Sequence, residues 1–259
     1  MPVDLVDLNL GIPTLYGFLL VLARVSGVFA LAPLPGFQSS PPLARIVLSV
    51  SLTLALYPLW PRIDAARVDA PRLLLWALPE IAVGVTIGLG VALILEVFLM
   101  AAQILSLNAG FSFAQTIDPT TQAEAGVLLV FAQLAGGMVF FALGFDREVI
   151  RTLAYSLQAH PAGAWITRPA AEALLRLGGD MLALAVRLAL PGIALLVLVD
   201  IALGLLGRLN AQLQLLTLAF PIKMTAALVL LGWITVILPR LLAAYGSVVF
   251  GTLRQALRF

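Results

Sequence analysis

Four ionisable side chains stand inside long apolar runs: Arg24, Glu96, Arg187 and Asp200. A charge carried into hydrocarbon costs on the order of 2.5–3.5 kcal/mol on insertion scales, so each needs a chemical or structural reason. One reason is proton or ion transfer, with the carboxylates of Glu96 and Asp200 exchanging protons inside the membrane. The other is neutralisation, in which the four pair with one another, with backbone carbonyls or with a partner subunit. Two acids matched by two arginines favour neutralisation. Spacing alone leaves the pairing open.

Other chemistry has little to stand on. The single histidine, His160, precedes Pro161 in a polar connector and reads as an ordinary loop residue. With no second His and no Cys, neither a metal site nor a disulfide is expected. No Gly-rich segment ends in Gly-Lys-Ser/Thr, so no loop of that kind cradles nucleotide phosphates. There is no serine nucleophile elbow and no close carboxylate pair on one helix face. The expectation is a protein that is not an enzyme and takes no cofactor. Fourteen arginines and one lysine, Lys223, are spread thinly along the chain. Nucleic-acid binding needs a clustered basic patch, so it is excluded.

The loop from Asn108 to Glu124 is the second candidate site. It carries no Lys or Arg, and Gly110 permits a backbone bend. Phe111, Phe113 and Ile117 alternate with small or polar residues, among them Ser112 and Ala114. Asp118-Pro119 starts a turn, and Thr121 with Glu124 has the spacing of a capping box. Apolar groups on non-helical backbone at membrane depth are tolerated only against protein or lining a cavity. Two readings follow: a helix-to-helix turn with buried anchors, or a plug whose side chains constrict a pore.

These residues need elements to hold them. Of 259 residues, 62% are apolar and 11% are charged, too few charges to cover a soluble globule. The chain therefore reads as an all-α polytopic membrane protein. Six apolar runs cover Ile12 to Leu31, Ile46 to Trp60, Leu73 to Leu107, Val127 to Phe145, Met181 to Leu206, and Ile222 to about Val249. The second is short for a span. The third, as one helix, is about 52 Å long at 1.5 Å per residue, against a hydrocarbon core of about 30 Å. It must tilt, protrude, break near Pro79 or form two segments. Pro191-Gly192 interrupts the fifth run, and Pro239-Arg240 is expected to break the sixth.

Between the fourth and fifth runs lies the connector Asp146 to Asp180. Val149, Ile150, Leu153 and Leu157 recur at helical spacing, interleaved with Arg147, Glu148 and Arg151, which predicts an amphipathic helix. Pro169 can open a second, short helix that Gly178-Gly179 stops. Six spans use about 110 of the roughly 160 apolar residues, leaving about 50 for surfaces other than lipid. In a six-span arrangement, ten Lys and Arg residues fall on the side of the connector and the tail, and three on the other. Connector and tail are thus expected in the cytoplasm.

Several segments together resemble a known family. They are Ala23-Arg24 to Gly27 with Ala32-Pro33, Pro42 to Arg45, Gly110 to Ala114 with Ile117 to Pro119, Leu190-Pro-Gly192 to Arg208, and Ala219-Phe220-Pro221-Ile-Lys223. In this order they resemble the FliR family, the R-type membrane subunit of the flagellar and related type III protein export gate. One departure is Asn210-Ala-Gln-Leu-Gln214, where the family often has Pro-Gln-hydrophobic-Asn.

The resemblance implies a P-type-like part, 1–180, fused to a Q-type-like helical hairpin, 181–259. It implies subunits wound into a helical, cone-like assembly around an export channel, much of it raised out of the bilayer plane. The loop from Asn108 to Ile117 then helps close the pore at rest. Implied partners are P-type and Q-type subunits, FlhB-type and FlhA-type subunits, and unfolded export substrates, at a flagellar basal body in the bacterial inner membrane. The Phe220-Pro221-Ile-Lys223 form points to the flagellar system. The competing function is an independent proton-coupled secondary transporter that uses Glu96 and Asp200, for which discontinuous helices at Pro79 and Pro191 are suited.

Overall fold

The computed structural model describes residues 11–32, 42–61, 63, 70–111, 127–160, 162–165, 168–209 and 215–257. Among them there is no strand. The helices are α1 (Ile12–Leu31), α2 (Pro42–Ala55), α3 (Ala70–Ala109), α4 (Val127–Ala142), α5 (Phe145–Ala159), α6 (Arg168–Leu209) and α7 (Leu215–Ala256), with a 3₁₀ turn at Tyr57–Leu59. Four of these helices are long and apolar enough to cross a membrane, or up to five spans if the bent α4–α5 pair counts as one.

The long helices decide one open alternative and correct two expectations. The third apolar run is a single 40-residue helix, α3, that continues through Pro79. The fifth run and the second half of the connector form one 42-residue helix, α6, so Gly178-Gly179 does not stop it and Pro191 does not interrupt it. α7 likewise passes through Pro221 and Pro239 over 42 residues. The reason is one of magnitude. An interior glycine costs about 1 kcal/mol and a proline about 3 kcal/mol relative to alanine. Packing along these helices outweighs such local penalties: α7, for example, buries Ala227, Leu231, Ile234, Leu238, Leu242, Tyr245 and Val249 along one stripe. The fourth run does break. α4 ends at Ala142, and Gly144 takes φ +71 before α5 begins at Phe145. The second run is the 14-residue α2 followed by the 3₁₀ turn.

The contacts divide the chain into two compact units. The first comprises Met1–Ala92, Asp146–Leu174 and Val249–Phe259. Here α1 buries Leu20, Val21, Val25 and Val28, and the first half of α3 buries Val83, Ile87 and Val91. The two helices meet backbone to backbone at Gly27, Gly84 and Gly88. A Cβ on Gly27 would stand 2.7 Å from the Ile81 carbonyl oxygen, and one on Gly84 would collide with the Arg24 carbonyl. Small residues spaced four apart on membrane helices allow this approach, and Gly84 and Gly88 have that spacing. α5 has the amphipathic character read from its sequence, burying Val149, Thr152, Leu153 and Ser156 while Arg147 and Arg151 stay exposed. Glu148 ties it to the end of α7 through Arg254 at 2.8 Å.

The second unit comprises Leu93–Phe145 and Leu175–Val248. The rest of α3 is buried through Ile94, Val97, Phe98, Ala101, Ala102 and Leu105. On α4, Gly136 lies against Phe98 and Leu95, and on α6, Gly192 lies against Leu105. Phe140 and Phe145 meet edge to face with centroids 5.5 Å apart, and Gly246 of α7 is pressed against the Phe145 ring.

Candidate functional site

Arg24 is 1% exposed on α1, and all three of its guanidinium nitrogens are used. Nε donates to Glu80 Oε2 of α3 at 2.6 Å. Nη1 donates to the carbonyl and, at 3.2 Å, to the hydroxyl of Ser156 on α5. Nη2 donates to the His160 carbonyl at 3.3 Å. The second carboxylate oxygen of Glu80 accepts the Gly163 amide at 3.0 Å. One ion pair thus joins α1, α3, α5 and the turn after α5. His160 joins this clamp through its main chain, while its ring nitrogen lies 3.0 Å from the Ala164 carbonyl oxygen. Gly163, at φ +79, fits beneath the ring of Trp76.

Of the other intramembrane charges, Asp200 pairs with Lys223, joining α6 to α7. Lys223 is largely covered, whereas Asp200 is about half exposed. Arg187 is exposed on α6, and Glu96 is half-buried on α3. Among the described residues neither has a hydrogen-bond or ion-pair partner. The structure therefore does not join Arg24, Glu96, Arg187 and Asp200 into one relay. Each of the two observed pairs uses a residue outside that set of four, Glu80 and Lys223. Glu80 was legible as a polar interruption of an apolar run, and Lys223 as the sole lysine. Ser156 and Gly163 had no signal, because they contribute through main-chain groups or a short hydroxyl. Beside Lys223, Phe220 is half-buried, and the carbonyl of the exposed Pro221 accepts the Thr225 hydroxyl at 2.7 Å.

The start of the central loop has a defined geometry. Gly110 has φ +89; its amide donates to Leu107 O at 3.3 Å, and the Phe111 amide donates to Ser106 O at 3.2 Å. This is the Schellman arrangement, in which a left-handed glycine ends a helix and satisfies its last carbonyls. Gly110 is buried and Phe111 half-buried. Ser112, Phe113, Ala114 and Ile117 lie outside the described residues.

Long apolar helices, a buried charge clamp and the absence, among the described residues, of any acidic or histidine cluster able to hold a metal define an all-α integral membrane protein. The family model for bacterial export proteins, family 1, matches residues 15–247, and the chain belongs to that family. It is similar to the flagellar biosynthetic protein FliR of Pectobacterium carotovorum subsp. carotovorum, with 28% identity over 90% of each chain. It is also similar to the FliR proteins of Escherichia coli strain K12 (27% identity, 82% of this chain and 81% of the relative) and Bacillus subtilis strain 168 (25%, 83% and 84%).

Proposed function

We propose that this protein is a channel-forming structural subunit of the flagellar type III export apparatus in the bacterial inner membrane. It helps form the pore for unfolded export substrates, and the loop beginning at Gly110 and Phe111 helps close it at rest. The observation that carries this reading is the surface of α6 and α7. In each, 28% of an 18-residue apolar window is buried within the chain, against 61% in α3.

Lipid alone is a poor cover for that surface. The pairs Asp200–Lys223 and Tyr245–Leu177 support one antiparallel register for the two helices. On α6, Arg187 and Arg208 bracket residues 188–207, a segment about 30 Å long that matches the hydrocarbon thickness. The preceding half of α6 then stands outside the hydrocarbon, yet it exposes Leu175, Leu182 and Val186 alongside Arg176 and Asp180. Apolar and charged residues mixed on such a surface suit packing against other protein subunits. The division into a P-type-like part, 1–180, and a Q-type-like hairpin, 181–259, belongs to the same proposal. So do P-type, Q-type, FlhB-type and FlhA-type partners.

Extraction in mild detergent and affinity purification test this reading. Co-purification of P- and Q-type subunits is expected. Recovery of a lone monomer that restores proton-coupled small-molecule uptake in liposomes overturns it in favour of the transporter, whose remaining support is the carboxylate of Glu96, unpaired among the described residues.

A further inference from the structure

Most buried glycines of this chain have a visible reason: Gly27, Gly84, Gly88, Gly192 and Gly246 each lie where a Cβ would strike a neighbour. Gly178, half-buried, and Gly179, exposed, have no such reason, and among the described residues with open space around a Cβ they stand side by side. They are adjacent in the interior of α6, and a Cβ on either would meet no heavy atom within 4 Å. A rigid strut is better served by alanine at both positions, since consecutive glycines lower the resistance of a helix to bending. Immediately before the pair, Leu177 is buried, and its carbonyl accepts a 2.8 Å hydrogen bond from the Tyr245 hydroxyl of α7. Tyr245 is itself only 6% exposed. Its neighbour Gly246 is packed against the Phe145 ring, which fixes the position of this part of α7. Leu177, Tyr245 and Phe145 all belong to the second unit.

We infer that α6 carries a hinge at Gly178-Gly179 and that the Tyr245 hydroxyl, by holding the Leu177 carbonyl, locks the helix in its straight form. Bending at the pair carries that carbonyl off the hydroxyl. The straight helix is therefore the only form in which this buried phenol keeps its acceptor. Nothing in the inference depends on what the protein transports.

The chain contains no cysteine, so spin labels can be introduced without background. Labels at the exposed positions Leu175 and Leu190, both in the second unit, flank the pair, about 22 Å apart along a straight helix. The measurement is made by pulsed dipolar spectroscopy on the purified complex with its partner subunits. The unsubstituted hinge should give one narrow distance. Tyr245→Phe should raise a second, shorter population by about two- to tenfold, the range expected for losing one hydrogen bond. Adding Gly178→Ala and Gly179→Ala to Tyr245→Phe should suppress that population again. An unchanged distribution in Tyr245→Phe overturns the lock, and a second population that survives both alanines overturns the hinge. Should Tyr245→Phe not yield folded complex, the two alanines alone must slow amide exchange over residues 178–183 severalfold. Equal exchange rates also overturn the hinge.

Discussion

Replacing Arg24 by Met keeps most of the side-chain volume and removes the guanidinium, leaving Glu80 buried with the Gly163 amide as its remaining donor. Side-chain exposures of 1% and 3% leave no water to compensate. Breaking one partner of such a pair costs about 3–5 kcal/mol. The double variant Arg24→Met with Glu80→Met removes both charges, and a hydrophobic replacement of a whole buried pair is often close to neutral. It still orphans the Gly163 amide, at about 1–3 kcal/mol. The Ser156 carbonyl is less affected, because it also accepts the His160 amide at 3.0 Å. The double variant should therefore be about 2 kcal/mol more stable than Arg24→Met alone. At roughly 2–4 °C per kcal/mol for a chain of this size, the single change lowers the melting temperature by about 6–20 °C, and the double change recovers about 4–8 °C. Thermal shift read by size-exclusion chromatography of the detergent-solubilised complex measures both. An Arg24→Met protein as stable as the parent, or a double variant no better than the single, would refute the clamp.

Three further outcomes are expected. Gly84→Leu forces a side chain into the Arg24 carbonyl and should abolish recovery of folded protein, whereas Gly232→Leu, at a position with open space, should leave yield unchanged. Asp200→Asn should reduce the yield of assembled complex more than export per complex, and the swap Asp200→Lys with Lys223→Asp should restore assembly; normal assembly with abolished export would instead favour proton transfer at Asp200. Phe111→Ala with Phe113→Ala, or deletion of Gly110 to Ala114, should raise resting ion conductance in planar bilayers. Conductance held at the closed level in both variants leaves only a helix-to-helix turn.

Much of the fold was legible because hydrophobicity is a one-dimensional signal. The six apolar runs foretold most of the helices, and the spacing of Val149, Ile150, Leu153 and Leu157 foretold α5, although Ile150 is exposed. Breaks were harder to read. Pro79, Pro191, Pro239 and Gly178-Gly179 carry local penalties of a few kcal/mol or less, and whether a helix ends there depends on contacts made elsewhere. Gly110 and Gly144 do mark turns, because each has a positive φ that glycine alone adopts freely. The same letter in the sequence stands for a stop, a close packing surface or an open helix face, and local composition does not separate them.

The division of labour is clearest at the charges. By itself the sequence determined that this is an all-helical membrane protein, that its few intramembrane charges need a chemical or structural reason, and that its ordered motifs match an export family. These conclusions rest on composition, order and the cost of a bare charge in hydrocarbon. Only the tertiary structure decided that Arg24 is matched by Glu80, 56 residues away, and Asp200 by Lys223, while Glu96 and Arg187 remain unmatched among the described residues. Ion pairing acts over a few ångströms of space, and neighbours at that range are set by how α1, α3 and α5, or α6 and α7, pack.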